Sequence, residues 1–143
     1  MSNEQNLKRF LDAQETDYAI ALSEIKNGKK RSHWMWYIFP QIQGLGLSST
    51  SQYYAIKNLQ EAKAYLQHPV LGKRLIEISS VLLTIGDNDA HNIFGSPDDM
   101  KLKSSMTLFS SIENTLPVFK QILDLFFGGE ADQKTNNVLN KAH

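Results

Sequence analysis

The run His33-Trp34-Met35-Trp36-Tyr37-Ile38-Phe39, closed by Pro40, constrains the fold more than any other stretch of this chain. It is apolar and aromatic enough for a strand, but no second convincing strand exists to pair with it. An isolated strand would leave its backbone N–H and C=O groups without partners. A short buried helix capped by Ser32 removes that conflict. Elsewhere the apolar residues recur at helical spacing. Leu7, Phe10 and Leu11 mark a first helix, and Thr16 is placed to cap a second with the stripe Tyr18, Leu22 and Ile25, ended by Asn27-Gly28. Tyr54 opens a pattern that continues through Leu59, Ala62 and Leu66 to a corner at Gln67-His68-Pro69. Pro69 suits the first turn of the next helix, whose stripe is Leu71, Leu75, Ile78, Leu82 and Ile85 and which Gly86 stops.

Residues 87–94 have room for one short helical turn. Ser96-Pro97-Asp98-Asp99 then reads as a helix start, with a hydroxyl cap, a proline at the first position and two acids in the first turn. Leu102, Met106, Phe109 and Ile112 would be the buried side of that helix, and a further amphipathic helix runs from about Pro117 through Phe119, Ile122, Leu123, Phe126 and Phe127 to Gly128-Gly129. The expectation is an all-α chain, a single compact domain of six to eight short helices over residues 1–143. Its tail, 129–143, has only Val138 and Leu139 as anchors and is given one weak helix at most.

The 143 residues, 41% of them apolar, suffice for one core. With no cysteine, disulfides, thiolate catalysis and cysteine-ligated zinc or iron–sulfur sites are excluded. His33, His68, His91 and His143 contain no i,i+4 pair and no HExxH, so no metal site is expected. No cofactor is implied either. Fifteen basic against fifteen acidic residues leave no global field to hold the protein on nucleic acid or an anionic membrane. Lys8, Arg9 and Asp12 interrupt the first segment, and no apolar span of about twenty residues occurs. A cytoplasmic protein without membrane attachment is therefore expected. Neither a GxSxG elbow nor a phosphate-binding P-loop is present.

Three polar segments could carry chemistry. Lys26, Lys29, Lys30 and Arg31 place four positive charges within six residues, just before His33, Trp34 and Trp36. Cations beside aromatics can hold a phosphate and a stacked ring; the alternative is a solvated turn whose stems lie over an aromatic core. Burying two tryptophans so close together requires a polar partner for at least one indole N–H. Residues 41–51, with Gln41, Gly44-Leu45-Gly46, Ser48, Ser49, Thr50 and Ser51, read as a loop. Ser49 stands where a dinucleotide fingerprint needs its third glycine, and no parallel strand precedes it. Backbone N–H groups of such a loop could still cradle a phosphate, or the glycines could serve flexibility alone. Asp98, Lys101 and Ser105, with Ser104, share one helix face. Asp98 and Asp99 alone would be ordinary helix-start acids, but adjacent mid-helix serines are poor helix formers and need another reason.

Several of these blocks are recognisable together: Lys30-Arg31-Ser32-His33-Trp34-Met35-Trp36-Tyr37-Ile38-Phe39-Pro40-Gln41, Gly44-Leu45-Gly46, Tyr54-Ala55-Ile56, His68-Pro69-Val70-Leu71-Gly72, and Asp98-Asp99-Met100-Lys101-Leu102-Lys103-Ser104-Ser105-Met106-Thr107-Leu108-Phe109. Over about residues 5–128 the chain resembles the small bacterial family catalogued as domain of unknown function 1810. The resemblance implies a compact, mainly helical cytoplasmic domain without an assigned activity. Family members often carry the label calpastatin. That label does not fit a chain with core-forming stripes throughout, because a calpain inhibitor is disordered until it meets its target.

Two classes of function remain. The first is a binder or processor of a phosphate-bearing small molecule, such as a nucleotide or, by loose analogy alone, an NAD or ADP-ribose derivative. Lys30, Arg31, Gln41, Gly44, Gly46, Ser48, Lys101, Ser104 and Ser105 would bind it, Trp34 or Trp36 would stack a ring, and Asp98, Asp99 or His33 would serve as acid or base. The second is a non-enzymatic protein-interaction module that exposes the Trp34/Trp36 segment to a partner whose identity the sequence does not suggest. Trp34 and Trp36 discriminate the two: walls of a pocket favour the first, a flat exposed patch the second. The first also expects Lys30, Arg31, His33 and Trp34 to converge in space with Asp98, Lys101, Ser104 and Ser105, bringing opposite charges into one cleft.

Overall fold

The computed structural model describes residues 3–141, with side chains from residue 7 onward. Among them are nine helices and no strand: α1 (Asn3–Lys26), α2 (Met35–Ile38), α3 (Ser49–Tyr53), α4 (Leu59–Gln67), α5 (Leu71–Leu82), α6 (Ala90–Phe94), α7 (Asp98–Ser110), α8 (Val118–Phe127) and α9 (Gln133–Lys141). The all-α expectation holds, and the aromatic run is helical as α2. No helix among the described residues is long and apolar enough to cross a membrane.

Several boundaries differ from those read in the sequence, each for a physical reason. Two helices were expected before residue 27, but α1 is continuous, because Leu7, Phe10, Gln14, Ala21 and Ile25 form one buried stripe in phase with the helical repeat. A polar and a small residue in that stripe interrupt its apolar signal. Gln14 is buried because its Nε2 donates to the Tyr37 carbonyl at the end of α2 (2.7 Å) and to the Tyr65 hydroxyl (2.9 Å). Ser32 does not cap α2. Trp34 occupies the cap position, and the Ser32 hydroxyl donates instead to Glu24. Tyr54 does not begin a helix; α4 starts at Leu59, where Asn58 Oδ1 accepts from the Glu61 N–H and Glu61 Oε1 accepts from the Lys57 N–H. Pro69 lies in the corner ahead of α5, which His68 caps by accepting from the Val70 and Leu71 N–H groups. Before α7 the cap position is Pro97, with no side-chain cap from Ser96.

The core joins α5, α7 and α8. Leu75, Ile78 and Leu82 of α5, Leu102, Met106 and Phe109 of α7, and Phe119, Ile122 and Leu123 of α8 belong to one buried cluster. Phe109 packs between Tyr65 and Phe119, and Phe10 meets Tyr65 edge-on, which brings α1 and α4 onto the same core. Gly72 allows the close approach of α4 to α5, since a side chain there would collide with the Leu66 carbonyl. The tail is also anchored. Asp132 caps α9 by accepting from the Thr135 N–H and hydroxyl, its own N–H donates to Thr107 of α7, and Leu139 is buried. Lys103 of α7, itself buried, pairs with Glu130 at 2.7 Å just ahead of that helix.

A single carboxylate fixes the turn between α1 and α2. Glu24 accepts hydrogen bonds from the Arg31 N–H (2.8 Å), the Ser32 N–H (3.0 Å), the Ser32 hydroxyl and the Trp34 indole N–H (2.8 Å). Desolvation pushes its pKa upward, but these four donors outweigh that effect and hold it at about 2.

Two expectations follow from this packing. Leu75→Ala, which opens a void in the α5–α7–α8 core, should cost roughly 2 to 5 kcal/mol in urea denaturation; a loss below about 0.5 kcal/mol, the usual surface range, would contradict the packing. The Glu24 contribution is present in full above its ordinary pKa of 4.5 and disappears as pH falls towards about 2. Unfolding free energies measured across that window should therefore fall less steeply for Glu24→Gln than for the native chain. Equal slopes would show that the carboxylate is not specifically stabilised.

Candidate functional site

The aromatic run, the glycine loop and the first turns of α7 surround a cleft of about 870 Å³. Its floor and near wall are Trp36, Gln41, Ile42 and Ser104; the loop contributes Gly44, Leu45, Gly46 and Leu47; the rim carries Met100, Lys101, Lys134 and Val138. The loop is pinned at its base, where the Gln43 N–H donates to the Ile56 carbonyl and the Ile56 N–H to the Gln41 carbonyl, both at 2.8 Å. Between that clasp and α3, the N–H groups of Gly44, Gly46 and Leu47 have no acceptor among the described residues. Gly46 is required by space: a Cβ would lie 2.5 Å from Ser51 Oγ. Ser48 caps α3 through the Ser51 N–H, which fixes the far end of the loop.

One charge cluster joins the cleft to the basic turn. Lys30, nearly buried, pairs with Asp98 at 2.9 Å, while Asp98 also pairs with Lys101 at 3.0 Å. The Lys30 ammonium lies 5.2 Å from the Trp34 ring, and the Lys101 ammonium lies 3.9 Å from the Trp36 ring. Burial raises the Asp98 pKa, but the two lysines prevail and hold its carboxyl below the usual range. Asp98 is thus a firmly ionised anchor and a weak base.

The candidate residues therefore divide. Trp36, Gln41, Gly44, Gly46, Lys101 and Ser104 line the cleft, while Lys30 and Asp98 stand behind its wall and position Lys101. Arg31 and His33 are exposed, and Arg31 enters the network through its backbone N–H. Trp34 is buried and bonded to Glu24, so it is core. Asp99 faces His91 at 3.6 Å, and Ser105 is fully buried with an unpaired hydroxyl; neither lines the cleft. His143 lies outside the described residues. Among those residues no three histidines or carboxylates come together to hold a metal.

Sequence reasoning missed Glu24 as an organiser of the turn and Tyr54, Lys134 and Val138 as lining residues. Glu24 shares its face of α1 with Ala21 and Asp17, and its four donors come from residues 31–34 beyond the helix, so the helical pattern gives no sign of them. Lys134 and Val138 belong to α9, whose contribution depends on tertiary anchors at Thr107 and Lys103.

The family described as Protein of unknown function (DUF1810) matches residues 4–139, a span that runs past residue 128 and takes in nearly all of α9. Among solved structures, the chain is similar to the crystal structure of the conserved hypothetical protein Rv1873 from Mycobacterium tuberculosis. The two are 43% identical with a TM-score of 0.92, covering 94% of this chain and 96% of that one. No curated protein matches the chain.

Proposed function

We propose that this chain, which belongs to the DUF1810 family of proteins of unknown function, uses the cleft beside Trp36 to bind a phosphate-bearing small molecule. The observation that carries this reading is the charge of the lining. Two lysines, Lys101 and Lys134, reach the cleft and no carboxylate does, although the chain as a whole is neutral. An anion entering there meets Lys134, which has no ion-pair partner among the described residues, and Lys101, which shares the Asp98 carboxylate with Lys30 so that two ammonium groups face one acid; the backbone N–H groups of Gly44, Gly46 and Leu47 add donors. The volume falls in the range of small-molecule sites.

The interaction-module reading loses its main support. Trp34 is 1% exposed and Trp36 is half-buried beneath Lys101, so the two do not form a flat exposed patch. Asp98 is better suited to hold Lys101 in place than to abstract a proton, because two ammonium groups favour its ionised form. The geometry therefore supports binding more directly than catalysis.

Calorimetric titration with inorganic pyrophosphate and with ribose 5-phosphate at low salt tests this reading. Both should bind, and Lys134→Glu should weaken binding roughly tenfold, the scale of one hydrogen bond to a charged group. That substitution leaves the fold intact, because an acid in the first turn of α9 complements the helix dipole. Absence of binding at millimolar concentrations, or equal affinity in the variant, would remove the proposal.

A further inference from the structure

The lining of the cleft is graded. At the rim, Leu47 is 93% and Met100 48% exposed, and Lys134 is exposed. At the floor, Gln41, Ser104 and Ile42 are 9%, 7% and 2% exposed. The charged end faces water and the neutral polar end is desolvated.

Gln41 is the unusual member of that floor. Its backbone carbonyl accepts from the Ile56 N–H, but its side-chain amide makes no hydrogen bond among the described residues. The side chain is nine-tenths buried, yet its amide oxygen and nitrogen are not among the fully buried unpartnered atoms, so the part of Gln41 left open is the amide, which meets the cleft with no protein partner. Gln14, the other well-buried glutamine, shows the contrast: its amide is bonded to Tyr37, Tyr65 and Arg74. The Ser104 hydroxyl spends its proton on the Met100 carbonyl and keeps its oxygen as an acceptor.

We infer that Gln41 is a specificity-determining residue that reads the edge of a heterocyclic base, and that the ligand class is a nucleoside monophosphate. This rests on the phosphate reading of the same cleft. A carboxamide presents one acceptor and one donor side by side, the complement of a ring edge carrying an adjacent donor and acceptor. Trp36 lines the same wall with the Lys101 ammonium over one face of its ring, so a base that stacks there takes the opposite face or displaces Lys101. The ligand is therefore oriented with its base towards Gln41 and Trp36 and its phosphate towards Lys134 at the rim.

The test compares the four common nucleoside 5′-monophosphates, the four parent nucleosides and ribose 5-phosphate, titrated into the native chain, Gln41→Met and Gln41→Glu. In the native chain at least one monophosphate should bind about tenfold more tightly than ribose 5-phosphate, with a ranking among bases. Gln41→Met, similar in volume but unable to pair, should erase that ranking and leave ribose 5-phosphate unaffected. Gln41→Glu, nearly isosteric, should move the preference towards guanine, whose edge offers two adjacent donors to a carboxylate. A merely structural role for Gln41 would not redirect base preference. The inference is overturned if the ranking survives both substitutions, or if no monophosphate binds better than ribose 5-phosphate. In the latter case, Lys134-dependent binding of ribose 5-phosphate would leave the phosphate reading standing alone. Conversely, Gln41-dependent ranking of the nucleosides, with no gain from the phosphate, would keep the base reading and remove the phosphate one.

Discussion

The Lys30–Asp98–Lys101 cluster ties together parts of the chain that are far apart in sequence. Lys30 follows the end of α1, and Asp98 and Lys101 open α7, so the cluster spans almost half the sequence. A lysine as buried as Lys30 is tolerable only if its charge is met, and it is met by Asp98, by the Ser32 carbonyl and by the face of Trp34. Its backbone N–H also donates to the Ile93 carbonyl of α6. The basic turn is therefore fixed against α6 and α7 at once. Because the same Asp98 holds Lys101 above Trp36, the structural pair and the cleft wall are one arrangement.

Glu24 performs the matching task on the other side of the turn. Its carboxylate gathers the main chain of residues 31 and 32 and the indole of Trp34, so the aromatic segment enters the core with Trp34 inward and Trp36 left at the cleft. Trp34, Phe39 and Phe94 then pack with ring centroids about 6 Å apart. That packing lets a helix of only four residues persist, since a helix so short gains almost nothing from its own hydrogen bonds. The conflict between strand propensity and the lack of a pairing partner is resolved by tertiary contacts.

Much of this was legible in the residues. The stripes of α5, α7 and α8 carry clear helical spacing and become the core, whereas of the basic turn expected to converge on the α7 face only Lys30 meets an acid there, Asp98. The boundaries were less legible where a side chain's partner is distant in sequence. Gln14 looks like an interruption until Tyr37 and Tyr65 are seen beside it, and Ser32 looks like a cap until Glu24 claims its hydroxyl. The cleft itself was only half visible. Gln41, Gly44, Gly46, Lys101 and Ser104 lie near one another in two segments, whereas Lys134 and Val138 arrive from a tail with little apolar content. The same local logic also favoured Arg31 and His33, because a charge run in sequence does not reveal which of its members turns outward.

Overall neutrality and a carboxylate-free cleft are compatible because several acids are committed internally. Glu24 binds backbone and indole N–H groups, Asp98 binds two lysines, and Glu61 accepts from Arg9 and from the Lys57 N–H. Asp132 caps α9, and Glu130 pairs with the buried Lys103. Each of these carboxylates is engaged by its own donors and none lines the cleft, while Lys134, carried on the helix that Asp132 caps, has no ion-pair partner among the described residues. A net charge of zero therefore says little about the local potential. What the chain presents to a small anion is set by which charges the fold has already paired, and in this cleft the unpaired remainder is positive.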